Sequence, residues 1–387
     1  MSLGEIREIE GLYLVEDLSE EYEGQFGFSP FNLSHWDPSS YTTNLLLRDL
    51  RLPAPTIAIP YLYSFPDGPE EILKRLGFVG SQKHCAFTNS GTIAVLLGVW
   101  WLKARRIAQT LLLGPSYFPV FHLCDALNLP HRVGYMARED GHWTLPREEI
   151  VSFIEADPKT KALWLTNPIF STGCYFEDQD ISFLKKLLDI GVTVVADECL
   201  ALNGYELSQR LGECDEFVGL YSPHKALSIN STKFAAIVFE KSYRDFFHCW
   251  SDILIGPLAS STHSAMVHFL DENFSHFQNI YCKYLEAVRV EVLQIIGRYP
   301  NFIETDQQSV GNFITCYIHQ IPGSIGNSEE FLKDLFWHTG ACLIPAVRNY
   351  MDPDLGFSFR VNLARACPQF YSAISRVVEY LAKTDRN

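Results

Sequence analysis

Long apolar runs, clusters of positive charge, paired cysteines and internal repeats are all missing from this 387-residue sequence, and each absence removes a class of function. No stretch of about 18 apolar residues is present to serve as a membrane-spanning helix. The opening residues, MSLGEIREIEGLYLVEDLSEEYEG, carry acids where a secretory leader carries a basic segment, so a soluble, cytoplasmic protein with no membrane partner is expected. Lys and Arg number 31 against 46 Asp and Glu, a net charge of −15. A surface of that sign repels polyanions, and no basic stripe offers a nucleic acid a footing. Ten cysteines stand singly from Cys85 to Cys367 without a C-x-x-C pair, which fits neither a zinc ribbon nor a dithiol redox motif. Buried, reduced thiols and no metal are expected.

What the chain does have is apolar content, 47% hydrophobic against 20% charged, enough to bury a large core. Its length exceeds the ~250–300 residues at which a single core stops growing, so two lobes are expected. From about residue 66 to 240 short apolar segments alternate with helical patterns. Strands are expected at Thr110–Leu113, Arg132–Met136, Ala162–Leu165, Val192–Ala196, Phe217–Tyr221 and Phe234–Phe239, and helices at Glu70–Leu76, Thr92–Arg106, Val120–Leu127 and Ile181–Leu188. Several of these strands are apolar without alternation, as strands covered on both faces are. The pattern predicts an α/β fold with a doubly wound, mostly parallel sheet. After Ile255 the sequence turns to a smaller α+β lobe, with helical His263–Arg298, strand-like FITCYIH, ACLIPA and FSFRVNLA, and helices from Ser328 and Pro368. Residues 1 to about 50 show no regular period. The expected division is 1–50 as a segment packing on the small lobe or a partner subunit, 51–260 as the large lobe, and 261–387 as a linking helix and the small lobe.

Four segments would bring polar groups to the carboxyl edge of such a sheet, where open α/β sheets bind ligands. TNSGT, Thr88 to Thr92, stands directly before an apolar helix; Ser90, Gly91 and Thr92 read equally as a helix cap and as a cup for an anion at a helix N-terminus. VTVVAD ends an apolar strand in Asp197, either a turn aspartate or an acid able to keep a bound ring nitrogen protonated. YSPHK places Lys225 after a strand; a surface charge is the usual fate of a lysine, but a partly desolvated one forms imines with aldehydes. FSFRVNLA holds Arg360 in an otherwise apolar strand, where it needs a structural ion pair or a carboxylate ligand.

Taken in this order and spacing, over roughly residues 30 to 385, the segments resemble the fold-type-I pyridoxal 5'-phosphate (PLP) enzymes, and within them the class I/II aminotransferases. The resemblance implies that Lys225 forms the Schiff base with PLP, that Ser90, Gly91, Thr92 and Ser222 bind its phosphate, and that Asp197 holds its pyridine nitrogen. It makes Tyr117 of PSYFP the ring stacked on the cofactor, with Phe118 as the fallback, and keeps Asn167 and Pro168 of the N-P-x-x-x-T-G loop. Arg360 becomes the anchor of the substrate carboxylate, and Trp36 of SHWDPS lies where family N-terminal segments approach the substrate. Tyr63 of YSFPDG matches a tyrosine that reaches the neighbouring subunit's phosphate, so a homodimer with shared active sites is expected.

Three positions depart from the family. Phe170 replaces the asparagine that bonds the cofactor's phenolic oxygen, Leu200 replaces the tyrosine that shares it, and Lys233 replaces an arginine on the phosphate, keeping the charge but losing the planar fork. His224, directly before Lys225, either adds a donor to the cofactor or packs; the sequence favours neither. The expected activity is PLP chemistry at the α-carbon of an amino acid. Aminotransfer leads, and β/γ-elimination, replacement or cyclisation is the alternative, as in amino-acid cyclases of the capreomycidine-synthase type, with an arginine-like substrate suggested by the acids of Glu16–Glu23. A non-catalytic binding protein on the same fold ranks third. Without donors to the phenolate, the lysine–cofactor imine should stay protonated to higher pH than in aminotransferases that keep both, because the phenolate then pairs with the imine proton. A pH titration of the cofactor's visible absorption checks this, and deprotonation in the ordinary range would refute it.

Overall fold

The computed structural model describes residues 12–384 apart from 49, 51–69, 79–81, 156, 203, 232 and 307. The chain forms two compact units. One takes in the described residues of Arg51–Phe170 and Cys174–Cys282, the other those of Met1–Leu50, Ser171–Gly173 and Lys283–Asn387.

Strand β1 (Phe31–Asn32) belongs to the smaller unit. The larger unit is built on seven strands: β2 (Lys83–Thr88), β3 (Gln109–Gly114), β4 (His131–Tyr135) and, beyond a small hairpin of β5 (Ala137–Glu139) and β6 (His142–Thr144), β7 (Lys161–Thr166), β8 (Thr193–Asp197), β9 (Phe217–Tyr221) and β10 (Ala235–Glu240). Their order is β2-β10-β9-β8-β7-β3-β4. All pairs are parallel except those of β10, which runs antiparallel to both its neighbours. The centre is apolar because both faces are covered: every residue of β8 and β9 is buried. The helix Gly91–Ala104 packs on this sheet with Ala94, Val95, Leu97, Val99, Trp101 and Leu102 buried, and Asp178–Asp189 lays Ile181, Leu184, Leu187 and Leu188 against it at helical spacing.

The carboxyl ends of β7, β8 and β9 are tied by one buried carboxylate. Glu198, 1% exposed, follows β8 directly. It accepts from Asn167 Nδ2 at 2.8 Å, from the Leu207 amide at 3.2 Å, from the Ser208 amide at 3.3 Å and from Ser208 Oγ at 2.5 Å. Ser208 Oγ also pairs with the Tyr221 hydroxyl at the end of β9. Room for that hydroxyl comes from Gly219, two residues earlier on the same strand face, where a Cβ would stand 1.8 Å from it. Burial raises the Glu198 pKa to about 7, with its four donors pulling the other way.

In the smaller unit an antiparallel sheet runs in the order β11-β12-β15-β14, made of β11 (Ile303–Thr305), β12 (Phe313–Ile318), β14 (Ile344–Pro345) and β15 (Phe357–Asn362). β13 (Ala341–Cys342) pairs instead with β1, in parallel. The helix Pro368–Thr384 buries Phe370, Ala373, Ile374, Val377, Val378 and Leu381, a stripe at i, i+3, i+4, i+7, i+8 and i+11. Ser171–Gly173 is held in this unit: Thr315 Oγ1 donates to the Ser171 carbonyl at 2.8 Å, Ser309 Oγ to that of Thr172 at 2.6 Å, and the Val310 amide to that of Gly173 at 3.0 Å.

The six expected strands of the sheet are all present, within one or two residues at their ends. β2 was not expected, because its first two residues are Lys83 and His84; the Lys83 ammonium is buried by donating to the carbonyls of Cys214 and Phe217 at 2.6 and 3.0 Å. The expected helical stretch His263–Arg298 is two helices, Ser260–Leu270 and Glu272–Ile296, since Asp271 is extended at φ −69°, ψ 143°. The N-terminal region, where the sequence shows no regular period, contains the helix Leu12–Phe26. Leu18 and Tyr22, four residues apart on one face of it, pack with Phe336, Trp337 and Cys342. Among the described residues no helix is long and apolar enough to cross a membrane.

Two outcomes follow. An acid whose folded pKa stands above its ordinary 4.5 contributes stability below that value and loses it as pH rises through the folded pKa. Stability therefore falls between about pH 4.5 and 7, by roughly 3 kcal/mol from this group. Glu198→Gln, which cannot ionise and resembles the protonated acid in shape, should flatten that part of a melting-temperature profile; an unchanged profile would show that Glu198 does not titrate there. Gly173, at φ +76° with a Cβ position 2.2 Å from the Val310 carbonyl oxygen, tolerates no side chain. Gly173→Ala should lose about 1–2 kcal/mol from backbone conformation and more from displacing Val310, read by urea unfolding; parental stability would contradict this geometry.

Candidate active site

The carboxyl edge of the larger unit's sheet collects most of the residues singled out from sequence. Asp197 ends β8, 4% exposed, and its Oδ1 accepts the Cys199 amide at 3.0 Å. Burial raises its pKa, opposed by the Cys199 amide and by the charge of Lys225. Lys225 lies in the short helix Pro223–Ala226 after β9, half-buried, with Nζ 4.3 Å from the centre of the Tyr117 ring. Tyr117 follows β3, and its hydroxyl is 3.3 Å from Thr92 Oγ1. One lysine, one aromatic ring, one threonine and one buried aspartate thus form a continuous cluster.

Ser90 is the N-cap of Gly91–Ala104, accepting from the Ile93 amide at 3.4 Å. The cap and the cup are compatible, since amides in the first turn of a helix, such as those of Gly91 and Thr92, have no intrahelical carbonyl to donate to and the helix dipole is positive at that end. Gly91 has no side chain to block this end; a Cβ there would come within 3.4 Å of Cys199 Sγ and 3.8 Å of Ser222 Oγ, which brings Ser222 to the same turn. Ser222 Oγ also donates to the Phe234 carbonyl at 3.3 Å. Lys233 is exposed, two residues before the start of β10. Because β10 is antiparallel, its first residue Ala235 is registered against Thr88, so Lys233 stands at the edge where Thr88 leads into the Ser90 turn.

Not every expected residue faces the cluster. Asn167 is fully buried, with its amide nitrogen bonded to Glu198 and its amide oxygen accepting from Phe176 N at 3.4 Å; both ends of this amide are engaged inside the protein. Phe170 is buried with its ring 6.0 Å from that of Tyr117, and Leu200 is buried beyond it in sequence. His224 packs: its Nε2 is 3.1 Å from His268 Nδ1, Phe274 meets its ring edge-on, and burial lowers its pKa to about 3, leaving it neutral. Tyr63 lies outside the described residues. Sequence reasoning missed Glu198 and Cys199, although an acid directly after an apolar strand's terminal Asp was a usable signal: a second carboxylate there must be bonded or neutral.

In the smaller unit Arg360 is 2% exposed in β15. Its Nε donates to the Ser34 carbonyl at 3.3 Å, and its guanidinium carbon lies 4.3 Å from the Trp36 ring and 5.2 Å from that of Phe313. Of the N-terminal acids, Glu20, Glu21 and Glu23 are exposed on the helix Leu12–Phe26, and Glu23 accepts from Ser29 Oγ at 2.9 Å. The structure thus shows these three on an outer helix face. Among the described residues no group of three or more His, Cys, Asp or Glu side chains is placed to hold a metal ion.

The donor set of the larger unit fits PLP. Amides, hydroxyls and a lysine at a helix N-terminus suit a phosphate, an amine beside an aromatic ring suits an aldehyde on a flat heterocycle, and a buried carboxylate suits a protonated ring nitrogen. Phe170 and Leu200 offer nothing to a phenolic oxygen. No protein-family model and no curated protein matches the sequence. Solved structures do. The multiple substrate aminotransferase of Thermococcus profundus superposes with a TM-score of 0.77 at 12% identity, covering 100% of this chain and 96% of that one. The Escherichia coli protein YbdL, identified as having a methionine aminotransferase function, gives 0.72 at 14% identity over 94% and 96%, and the PLP-bound C-S lyase of Staphylococcus hominis gives 0.70 at 15% over 95% and 96%. The chain has the fold of these PLP-dependent aminotransferases and lyase.

Proposed function

We propose that this protein is a PLP-dependent enzyme acting at the α-carbon of an amino acid, with aminotransfer as its reaction. The observation that carries this is the Lys225 amine 4.3 Å over the Tyr117 ring, next to buried Asp197 and the Ser90 turn, on the fold of known aminotransferases. When bound, PLP draws the electron pair released at the substrate's α-carbon into its protonated ring.

The chain's own groups have separable tasks. Ser90, Gly91, Thr92 and Ser222, with the charge of Lys233, hold the phosphate dianion. Tyr117 covers one face of the ring. Asp197 stays anionic beside the ring nitrogen and retains a proton there, since an opposite charge offsets the burial that raises its pKa. Lys225 is the amine that would hold the aldehyde carbon and, once a substrate amine takes that place, the base that moves the α-proton. Arg360 receives the α-carboxylate through parallel N–H bonds. A homodimer, with Tyr63 completing the partner's phosphate site, and a cytoplasmic location complete the proposal.

A second reading, elimination, replacement or cyclisation, is favoured by Phe170. A ring stands where the family has an amide, and the Asn167 amide is engaged by Glu198 and Phe176. Bound PLP would therefore receive no hydrogen bond to its phenolic oxygen from Phe170 or Leu200, unlike in enzymes with both donors. A binding role without catalysis ranks below both, because Lys225 is kept beside Tyr117 and close enough to buried Asp197 to act on its charge.

Incubation of the PLP-loaded protein with single amino acids, arginine and its hydroxylated forms included, separates these readings. Without a keto-acid acceptor, one equivalent of product per site with conversion of the cofactor to its amine form marks aminotransfer. Many turnovers mark elimination or cyclisation, and no spectral response to any amino acid marks a binding role. Lys225→Ala should lose the visible band of the lysine-bound cofactor and at least ~10²–10⁴ in rate; a persisting band would overturn the assignment.

A further inference from the structure

The segment around Trp36 is sewn to the strand that carries Arg360. The Asn362 amide donates to the Leu33 carbonyl at 2.8 Å, Asn362 Nδ2 to that of His35 at 2.6 Å, and Arg365 Nε to that of Asn32 at 2.9 Å. Ser34 Oγ donates to the Arg360 carbonyl at 2.6 Å and accepts from the Ile344 amide at 2.9 Å. Every residue from Asn32 to His35 is therefore bonded to β14, to β15 or to the turn just after it, and Trp36 is delivered to a fixed place.

That place is the face of the Arg360 guanidinium. The Trp36 ring centre is 4.3 Å from its central carbon, and the Phe313 ring, edge-to-face with Trp36 at 5.3 Å and 88°, is 5.2 Å away. A ring on the guanidinium face sets the plane of the fork, and the in-plane bond from Nε to the Ser34 carbonyl restricts its rotation within that plane. Together they favour one orientation. We infer that Trp36 is a positioning residue for Arg360, presenting an already oriented fork to the carboxylate of the substrate. The effect is one of pre-organisation: a fork oriented before the ligand arrives loses less freedom on binding it. It rests on the reading of Arg360 as the carboxylate anchor, and it assigns to Trp36 a task acting through Arg360 rather than direct contact with the substrate side chain.

The test uses the PLP-loaded full chain and the amino acid that reacts best in the panel above, with two analogues of that amino acid: the carboxylic acid lacking the amine, which binds without reacting, and the amine lacking the carboxylate. Trp36→Ala should weaken calorimetric binding of the carboxylic acid about 10-fold and raise KM for the amino acid to a similar extent, with kcat changed far less and the amine's binding unchanged. Trp36→Phe, which keeps a ring on the guanidinium, should recover most of the loss and keeps the proposal testable if the alanine variant folds poorly. Arg360→Lys separates the two levels. If it loses carboxylate binding while Trp36→Ala and Trp36→Phe bind as the parent does, the positioning role is overturned and the anchor stands. If Arg360→Lys itself binds the carboxylic acid as the parent does, the anchor reading falls and the inference with it. Equal loss of carboxylic acid and amine binding in Trp36→Ala would mark a merely structural residue and also overturn the proposal.

Discussion

A carboxylate placed where water cannot reach must be given partners by the chain itself, and Glu198 imposes this constraint on the whole carboxyl edge of the larger unit. Its four donors come from β7, through Asn167, and from the helix after β8, through Leu207 and Ser208. Tyr221 on β9 is drawn in through Ser208. Three neighbouring strand ends are thereby held in mutual register by side chains after their backbone ladders have ended. Asp197, one residue earlier, is also buried, accepts the Cys199 amide and feels the charge of Lys225. Two adjacent acids thus differ in surroundings: Glu198 is bonded across three strand ends, and Asp197 lies beside the charge of Lys225.

Much of the larger unit was legible in the sequence because its strands are covered on both faces. Val194, Val195 and Ala196, or Phe217 to Leu220, have no polar face to interrupt them, and such runs announce themselves. β2 was hidden by Lys83, whose long apolar stem lets it enter the protein while its ammonium reaches backbone carbonyls. The helix Leu12–Phe26 was missed although Leu18, Tyr22 and Phe26 recur in it four residues apart. In the candidate site, residue types tied to strand ends (Asp197, Lys225 and the Ser90 turn) were visible from spacing. The direction of a side chain was not. Asn167 and His224 occupy suggestive positions, yet one is bonded to Glu198 and the other to His268, partners distant in sequence that no local pattern announces.

The smaller unit shows a related economy. Residues 31–36 contribute one two-residue strand and almost no core, so by pattern alone they are a loop. Their order comes from bonds made with β13, β14 and β15 and the turn that follows, more than three hundred residues later. The fold of this region is thus specified by its C-terminal half, and the N-terminal segment reads that template instead of carrying its own.

The contact between Phe170 and Tyr117 gives the larger unit's site an uneven capacity to solvate. Toward the Ser90 turn lie amides and hydroxyls that could replace the water an anion would shed; toward Phe170 there is hydrocarbon. A ligand spanning both ends is rehydrated by protein at one end only. At the other, a polar atom facing the Phe170 ring would gain from a hydrogen bond within the ligand itself, so the molecule's own internal bonding would bear on the shape in which it is held.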